Sequence, residues 1–214
     1  MLASVTHLII EVTDVNDNPP KFVQSTYDVA LSENNDVGVS VARVFATSRD
    51  IGVNAEISYS IIAGNSAGHF TIDATSGEVT LAHALDFERA QQLIVTIEAR
   101  DGGEPPLRSS AILRINVTDY NDNAPRFTQE RYEGSAAEDL PLGASVLQVL
   151  ATDIDSAPNA MVTYYIVSGD PEHYFAIHQQ SGVLSVNRKL DREQVRAAKT
   201  SLYTSFIPSM TLYL

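Results

Sequence analysis

The chain repeats itself at a fixed spacing, and that spacing limits the folds open to it. Asp14-Val15-Asn16-Asp17-Asn18-Pro19-Pro20-Lys21-Phe22 recurs as Asp119-Tyr120-Asn121-Asp122-Asn123-Ala124-Pro125-Arg126-Phe127, an offset of 105 residues. The same offset pairs Tyr27 with Tyr132, Glu33 with Glu138, Tyr59 with Tyr164 and Phe70 with Phe175. It also pairs Ala46-Thr47 with Ala151-Thr152, Ser76-Gly77 with Ser181-Gly182, and Leu85-Asp86 with Leu190-Asp191, with no gap between them. Such a period is too long for a solenoid unit and fits one β-sandwich domain.

Strand signals inside the period agree. Val39, Val41 and Val44-Phe45 form one apolar run, and Ile57, Tyr59 and Ile61 alternate with polar residues. Phe70 with Ile72, Val79 with Leu81, Leu93 with Val95 and Ile97, and Leu113 with Ile115 and Val117 continue the pattern. Period-two alternation of this length marks half-buried strands. Gly64-Asn65, Ser76-Gly77 and Gly102-Gly103-Glu104-Pro105-Pro106 punctuate them. With a first strand near Tyr27–Leu31, seven strands are expected per repeat and no long helix. Asp86–Gln92 is expected to make at most a short turn. Leu8, Ile10 and Val12 align with Leu113, Ile115 and Val117, so residues 1–13 look like the last strand of a preceding domain.

Charge narrows the function. The chain carries 27 acidic against 14 basic residues, a net charge of −13. No basic patch is visible, which argues against a nucleic-acid partner. Cysteine is absent, which excludes disulfides, thiol catalysis and Cys-ligated zinc. No stretch approaches the roughly 20 apolar residues of a membrane helix.

The acids sit where strands and turns do not require them. Each Asn-Asp-Asn follows a strand, and proline then stops the ladder. In an extended backbone Asp122 points one way and Asn121 and Asn123 the other. Asp153-Ile154-Asp155 puts two carboxylates on one face, as does Asp86-Phe87-Glu88. If Glu33, Asp86, Glu88, Asp122, Asp153 and Asp155 converge, they cannot all stay ionised without cations. Two like charges about 5 Å apart repel by roughly 3 kcal/mol at an effective dielectric near 20. Ca²⁺ fits such a set, because it takes oxygen ligands in loose geometry where Mg²⁺ demands a strict octahedron. Zinc does not fit, since the five histidines share no spacing with the acids.

The motifs Asp-x-Asn-Asp-Asn-x-Pro, Leu-Asp-x-Glu, Ala-x-Asp-Gly-Gly-x-Pro and Ala-Thr-Asp-x-Asp resemble those of cadherin repeats. The resemblance covers residues 1–193 and is similar to internal repeats of protocadherins or of large Fat/Dachsous-like members. It implies an all-β chain of tandem seven-stranded Greek-key sandwiches, the last one incomplete, with three Ca²⁺ ions at each junction. Residues 1–18 would be the last strand and linker of a preceding repeat, 19–123 a complete repeat, 124–195 a partial repeat, and 196–214 a divergent or truncated tail. The central junction would use Glu33, Asp86 and Glu88, the Tyr120 carbonyl, Asn121, Asp122, the Asn123 carbonyl, Asp153, Asp155 and the Asn159 carbonyl. The junction before it would use Asn16, Asp17, Asn18, Asp50, Asn54 and Asp101. Glu138, Asp191 and Glu193 would face a third junction.

Two departures stand out. Ser48 occupies the position of Asp153, so the first junction is expected to hold its third ion weakly. Phe206 stands where Asp101 would recur, so two of the seven strands of the last repeat are expected to be missing or replaced. The resemblance implies calcium-dependent cell–cell adhesion on the extracellular face of the plasma membrane. The partners implied are other cadherin ectodomains, homophilic or heterophilic, and the parent protein would be membrane-anchored. The alternatives are a secreted or truncated ligand or decoy fragment and, more remotely, a carboxylate hydrolase. The hydrolase pair, Asp86 and Glu88, recurs as Asp191 and Glu193, and one catalytic pair per repeat argues against an enzyme. Tryptophan is absent, so the Trp-dependent strand exchange of outermost cadherin repeats is not available to this chain. Asn116-Val117-Thr118 is an N-glycosylation sequon, with Asn116 expected to face outward.

Overall fold

The computed structural model describes residue 4, residues 6–192 and the backbone of Ser201–Ser205. The expectations for Glu193 and for most of the tail lie outside the described residues. The chain divides into two compact units, Met1–Thr118 and Asp119–Leu214, so each Asn-Asp-Asn segment belongs with the strands that follow it.

In the first unit the strands are β1 (Lys21–Phe22), β2 (Thr26–Ser32), β3 (Ser40–Arg43), β4 (Ala46–Thr47), β5 (Ile57–Ala63), β6 (Phe70–Ile72), β7 (Glu78–Leu81), β8 (Gln92–Asp101) and β9 (Arg108–Thr118). One sheet runs β2-β9-β8-β5 and the other β3-β7-β6, with β1 pairing β4 at the edge. Their inward faces enclose Val44, Val79, Leu81, Val95, Ile97, Leu113 and Ile115, all nearly or fully buried. This is the sandwich that the alternation predicts.

Three details differ from the sequence reading. The first strand is split: Lys21–Phe22 pairs antiparallel with Ala46–Thr47, while Thr26–Ser32 runs parallel to β9. The chain thus crosses between sheets at Val23–Ser25. Phe45 is not core but 54% exposed, beside a fully buried Val44. The two residues form the link between β3 and β4, and only the first of them turns into the core. Gly52–Ala55 forms a 3₁₀ turn, and residues 87–89 make the short turn expected.

The second unit repeats this order through β10 (Arg126–Phe127), β11 (Ser145–Gln148), β12 (Ala151–Thr152), β13 (Thr163–Ser168), β14 (Phe175–Ile177) and β15 (Val183–Val186). Registers repeat as well. Ser40↔Thr80 becomes Ser145↔Ser185, and Lys21↔Thr47 becomes Arg126↔Thr152. Gly77 and Gly182 hold the same left-handed turn at φ 69° and 66°, and a Cβ at either would strike a backbone carbonyl, Val44 O or Val149 O.

Of the two strands expected to be missing or replaced, one is present in the backbone. β16 (Ser201–Ser205) pairs β13 with Tyr164↔Thr204, the offset copy of Tyr59↔Ala99. The ladder is made by main-chain groups, and Leu202-Tyr203-Thr204 suits an extended chain, so the altered side chains do not prevent pairing. Leu8, Ile10 and Val12 form no strand and stand 74–89% exposed. A β-strand needs a partner, and these residues have no sheet to join among the described residues.

Candidate metal centres

The first linker is built onto its own unit by side chains. Asn16 and Asn18 are half-buried while Asp17 is exposed, as the extended backbone dictates. Asn16 Nδ2 donates to Asp101 Oδ1 (3.2 Å) and to the Pro105 carbonyl (2.8 Å). Asp101 ends β8, is 3% exposed, and its Oδ1 also accepts the amides of Gly103 (3.1 Å) and Leu107 (2.9 Å). A side chain at Gly103 would collide with the Asn16 amide, which gives the Asp-Gly-Gly motif a physical reason. Asp50, 6% exposed, takes the Asn18 amide on Oδ2 (3.1 Å) and Asn18 Nδ2 on Oδ1 (2.6 Å).

The second linker repeats the placement. Asn121 and Asn123 are half-buried and Asp122 is exposed. Asn123 Nδ2 donates to Asp155 Oδ1 (2.8 Å), and the Asp155 amide donates to Asp153 Oδ1 (3.0 Å). Tyr120 is 48% exposed.

The two linkers share a residue that the sequence reading did not single out. Asp14 Oδ2 accepts the Ile51 amide (3.2 Å) and Asn54 Nδ2 (3.0 Å). Asp119 Oδ2 accepts the Ser156 amide (2.9 Å), the Ser156 hydroxyl (2.6 Å) and Asn159 Nδ2 (3.0 Å). The leading Asp of each motif therefore clamps the loop after the Asp-x-Asp position. It engages Nδ2 of the Asn54 and Asn159 side chains. Its recurrence at the head of both motifs was the available signal.

A separate acidic group lies on the first unit. Glu33, Asp86 and Glu88 each offer a carboxylate oxygen within 4.8 Å of the others. Leu85 is buried and Phe87 packs on the core, while Asp86 and Glu88 in the same short turn are exposed. Glu33, 7% exposed, accepts the Phe87 amide on Oε2 at 2.5 Å and so ties β2 to that segment. Glu138 does the same in the second unit, accepting the Arg192 amide at 3.0 Å.

The chemistry of the donor set can be tested on its unpaired atoms. Among the described residues, the buried side-chain oxygens without a hydrogen-bond partner are Asn16 Oδ1, Asp101 Oδ2 and the Ser109 hydroxyl on β9 in the first unit, and Asp119 Oδ1, Asp153 Oδ2 and Asp155 Oδ2 in the second. A buried carboxylate oxygen with no partner is costly. Apart from the Ser109 hydroxyl, these atoms belong to the linker motifs or to the acids that hold them. They are hard oxygen donors, the kind Ca²⁺ takes, and no nitrogen or sulfur ligand is among them. The residues therefore fit a Ca²⁺ ion.

Asn116 is exposed between buried Ile115 and Val117, and its Oδ1 accepts Gln92 Nε2 (2.8 Å). No helix among the described residues is long and apolar enough to cross a membrane.

Comparison with known proteins agrees with this architecture. The chain is 43% identical over 194 residues to the Fat-like cadherin-related tumor suppressor homolog of Drosophila melanogaster, covering 91% of this chain and 4% of that protein. It is 42% identical over 194 residues to human Protocadherin Fat 1, again covering 91% of this chain and 4% of the relative. The protocadherin gammaB7 EC3-6 cis-dimer structure superposes with a TM-score of 0.78 at 33% identity, covering 89% of this chain and 48% of that one. The chain thus spans a small fraction of its curated relatives. The family profile for the Cadherin domain matches residues 27–118 and 132–205, and the chain belongs to the cadherin family.

Proposed function

We propose that the chain is a calcium-dependent adhesion segment, in which Ca²⁺ bound at the linkers stiffens tandem repeats of an extracellular rod. Cadherins mediate cell adhesion, and the finer claim concerns the ions. The observation that carries it is the set of buried, donorless carboxylate oxygens on Asp101, Asp119, Asp153 and Asp155. The Glu33, Asp86 and Glu88 group adds a second cluster of carboxylate oxygens. The central ions would draw on Glu33, Asp86 and Glu88 from the first repeat, and on Asn121, Asp122, Asp153, Asp155 and the carbonyls of Tyr120, Asn123 and Asn159 from the second. The first linker would contribute Asn16, Asp17, Asn18, Asp50, Asn54 and Asp101. The partner is another cadherin ectodomain, a reading supported by the cis-dimer of the related protocadherin. A glycan on Asn116 would sit on an exposed strand face.

Thermal unfolding with Ca²⁺ and with chelator tests the reading. At tenfold excess over Kd, each site stabilises by about 1.4 kcal/mol. The midpoint should rise with Ca²⁺, and Asp155→Asn should blunt the rise. A midpoint indifferent to Ca²⁺ would sink the proposal.

A further inference from the structure

We infer that Ser48 has exchanged a cation ligand for a hydrogen-bond latch, so that the Asn18 edge of the first linker is held on its own repeat without Ca²⁺ while the matching edge of the second is held through it. The half of the claim that concerns the second linker rests on the calcium reading above.

The two positions do the same job and then diverge. Ser48 Oγ accepts the Asp50 amide (3.1 Å), as Asp153 Oδ1 accepts the Asp155 amide (3.0 Å). The Ser48 hydroxyl also has a hydrogen to give, and it donates it to the Asn18 carbonyl (2.9 Å). An ionised Asp153 has none. At the equivalent place it can only add lone pairs, its Oδ2 is left buried without a donor, and a cation would satisfy that oxygen.

Satisfaction of the neighbours follows the same split. In the first unit, Asn18 and Asp50 close on each other through both Asp50 oxygens, and Ser48 completes the ring from the carbonyl side. No side-chain oxygen of Asn18, Ser48 or Asp50 is left buried without a donor. In the second unit, Asp153 Oδ2 and Asp155 Oδ2 are both left so. The first linker's own donorless oxygens, Asn16 Oδ1 and Asp101 Oδ2, belong to the other pair that grips it. Ser48 therefore changes one edge of the linker only.

The test is residue-resolved amide hydrogen exchange on the full chain, with Ca²⁺ and with chelator, for the wild type, Ser48→Ala and Ser48→Asp. In the wild type, the Asn18 and Asp50 amides should keep their protection in chelator, while the Asp155 amide should lose about tenfold or more. Ser48→Ala should speed exchange at Asp50 by about fivefold in both conditions, the loss of one hydrogen bond. Ser48→Asp should make Asn18 and Asp50 respond to chelator as Asp155 does. Wild-type Asn18 and Asp50 amides that lose protection in chelator, or that ignore Ser48→Ala, overturn the latch. An Asp155 amide that ignores Ca²⁺ overturns the calcium reading instead, and the Ser48→Ala arm still decides the latch.

Discussion

The first unit pairs Thr26–Ser32 in parallel with Arg108–Thr118, whereas residues 131–137 of the second unit form no strand. Two physical differences coincide there. At an offset of 105, Val29 becomes Gly134 and Leu31 becomes Ala136, which removes the apolar side chains that a half-buried strand would seat. Among the described residues no strand pairs with residues 131–137 in the way that Arg108–Thr118 pairs with Thr26–Ser32. Tyr132 nevertheless keeps its place. Its hydroxyl donates to the Leu150 carbonyl (2.7 Å) and accepts the Leu150 amide (3.1 Å), as Tyr27 does less tightly at Phe45. Side-chain anchors thus persist where backbone pairing does not, and the strand is the more cooperative of the two features.

The largest test of this difference is a core deletion on the pairing strand. Leu113 is fully buried and lies between β2 and β8 in register, opposite Tyr27 and Val95. Leu113→Ala should destabilise the first unit by about 2–5 kcal/mol, from lost transfer energy plus a cavity. Calorimetry should show the transition of the first unit moving and that of the second staying. If both move together, the two cores are not the independent structures that their separate buried clusters imply.

The register of this fold was legible because the pleat has period two and the repeat has one offset. Every buried residue of β8 and β9 obeys that alternation. Of the acids, Asp50 and Asp155 form one offset pair, whereas Asp101, whose offset position holds Phe206, was legible only through the Ala-x-Asp-Gly-Gly-x-Pro motif. What escaped was set by geometry that no periodicity encodes. The split of the first strand depends on where the chain crosses between sheets. The clamp formed by Asp14 and Asp119 depends on a loop folding back across 37 positions. The altered ligand at Ser48 was visible, but the hydrogen it donates to Asn18 is a property of orientation rather than of sequence. β16 stands where a missing or replaced strand was expected, and its ladder is a main-chain structure.

A second test asks whether the units agree where they should. Tyr59 and Tyr164 are 6% and 3% exposed, and their hydroxyls accept the buried amides of Ala46 (2.8 Å) and Ala151 (2.9 Å). Tyr→Phe at either position removes the acceptor and leaves a buried N–H unsatisfied, at about 1–3 kcal/mol. Denaturant unfolding should give losses of similar size in the two units. A Tyr164→Phe variant as stable as the wild type would mean that the second unit does not close around this ring, despite the identical bond.

The smallest effect concerns one turn held by different chemistry in the two copies. Asp73 Oδ1 accepts the amides of Ser76 (2.7 Å) and Thr75 (3.1 Å). The offset residue is His178, whose Nδ1 accepts the Ser181 amide (3.2 Å). The backbone hydrogen bond from Ser76 comes first among the causes that hold the Asp73 carboxyl below its ordinary value of 3.8, followed by the Ser76 side chain and the Thr75 amide. A depressed carboxyl contributes its stability above the unfolded value and loses it as pH falls through the folded one. The Ser76 amide should therefore stay protected down to acid pH and then open, and Asp73→Asn should flatten that dependence by leaving an acceptor that does not titrate. At His178 the acceptor is a ring nitrogen instead of a carboxylate oxygen, so the Ser181 amide should not follow the Asp73 profile. Exchange of the two amides followed across pH would separate these cases. A His178→Asp variant should give Ser181 the profile of Ser76. If it does not, the two turns differ in backbone and not merely in the group that caps them.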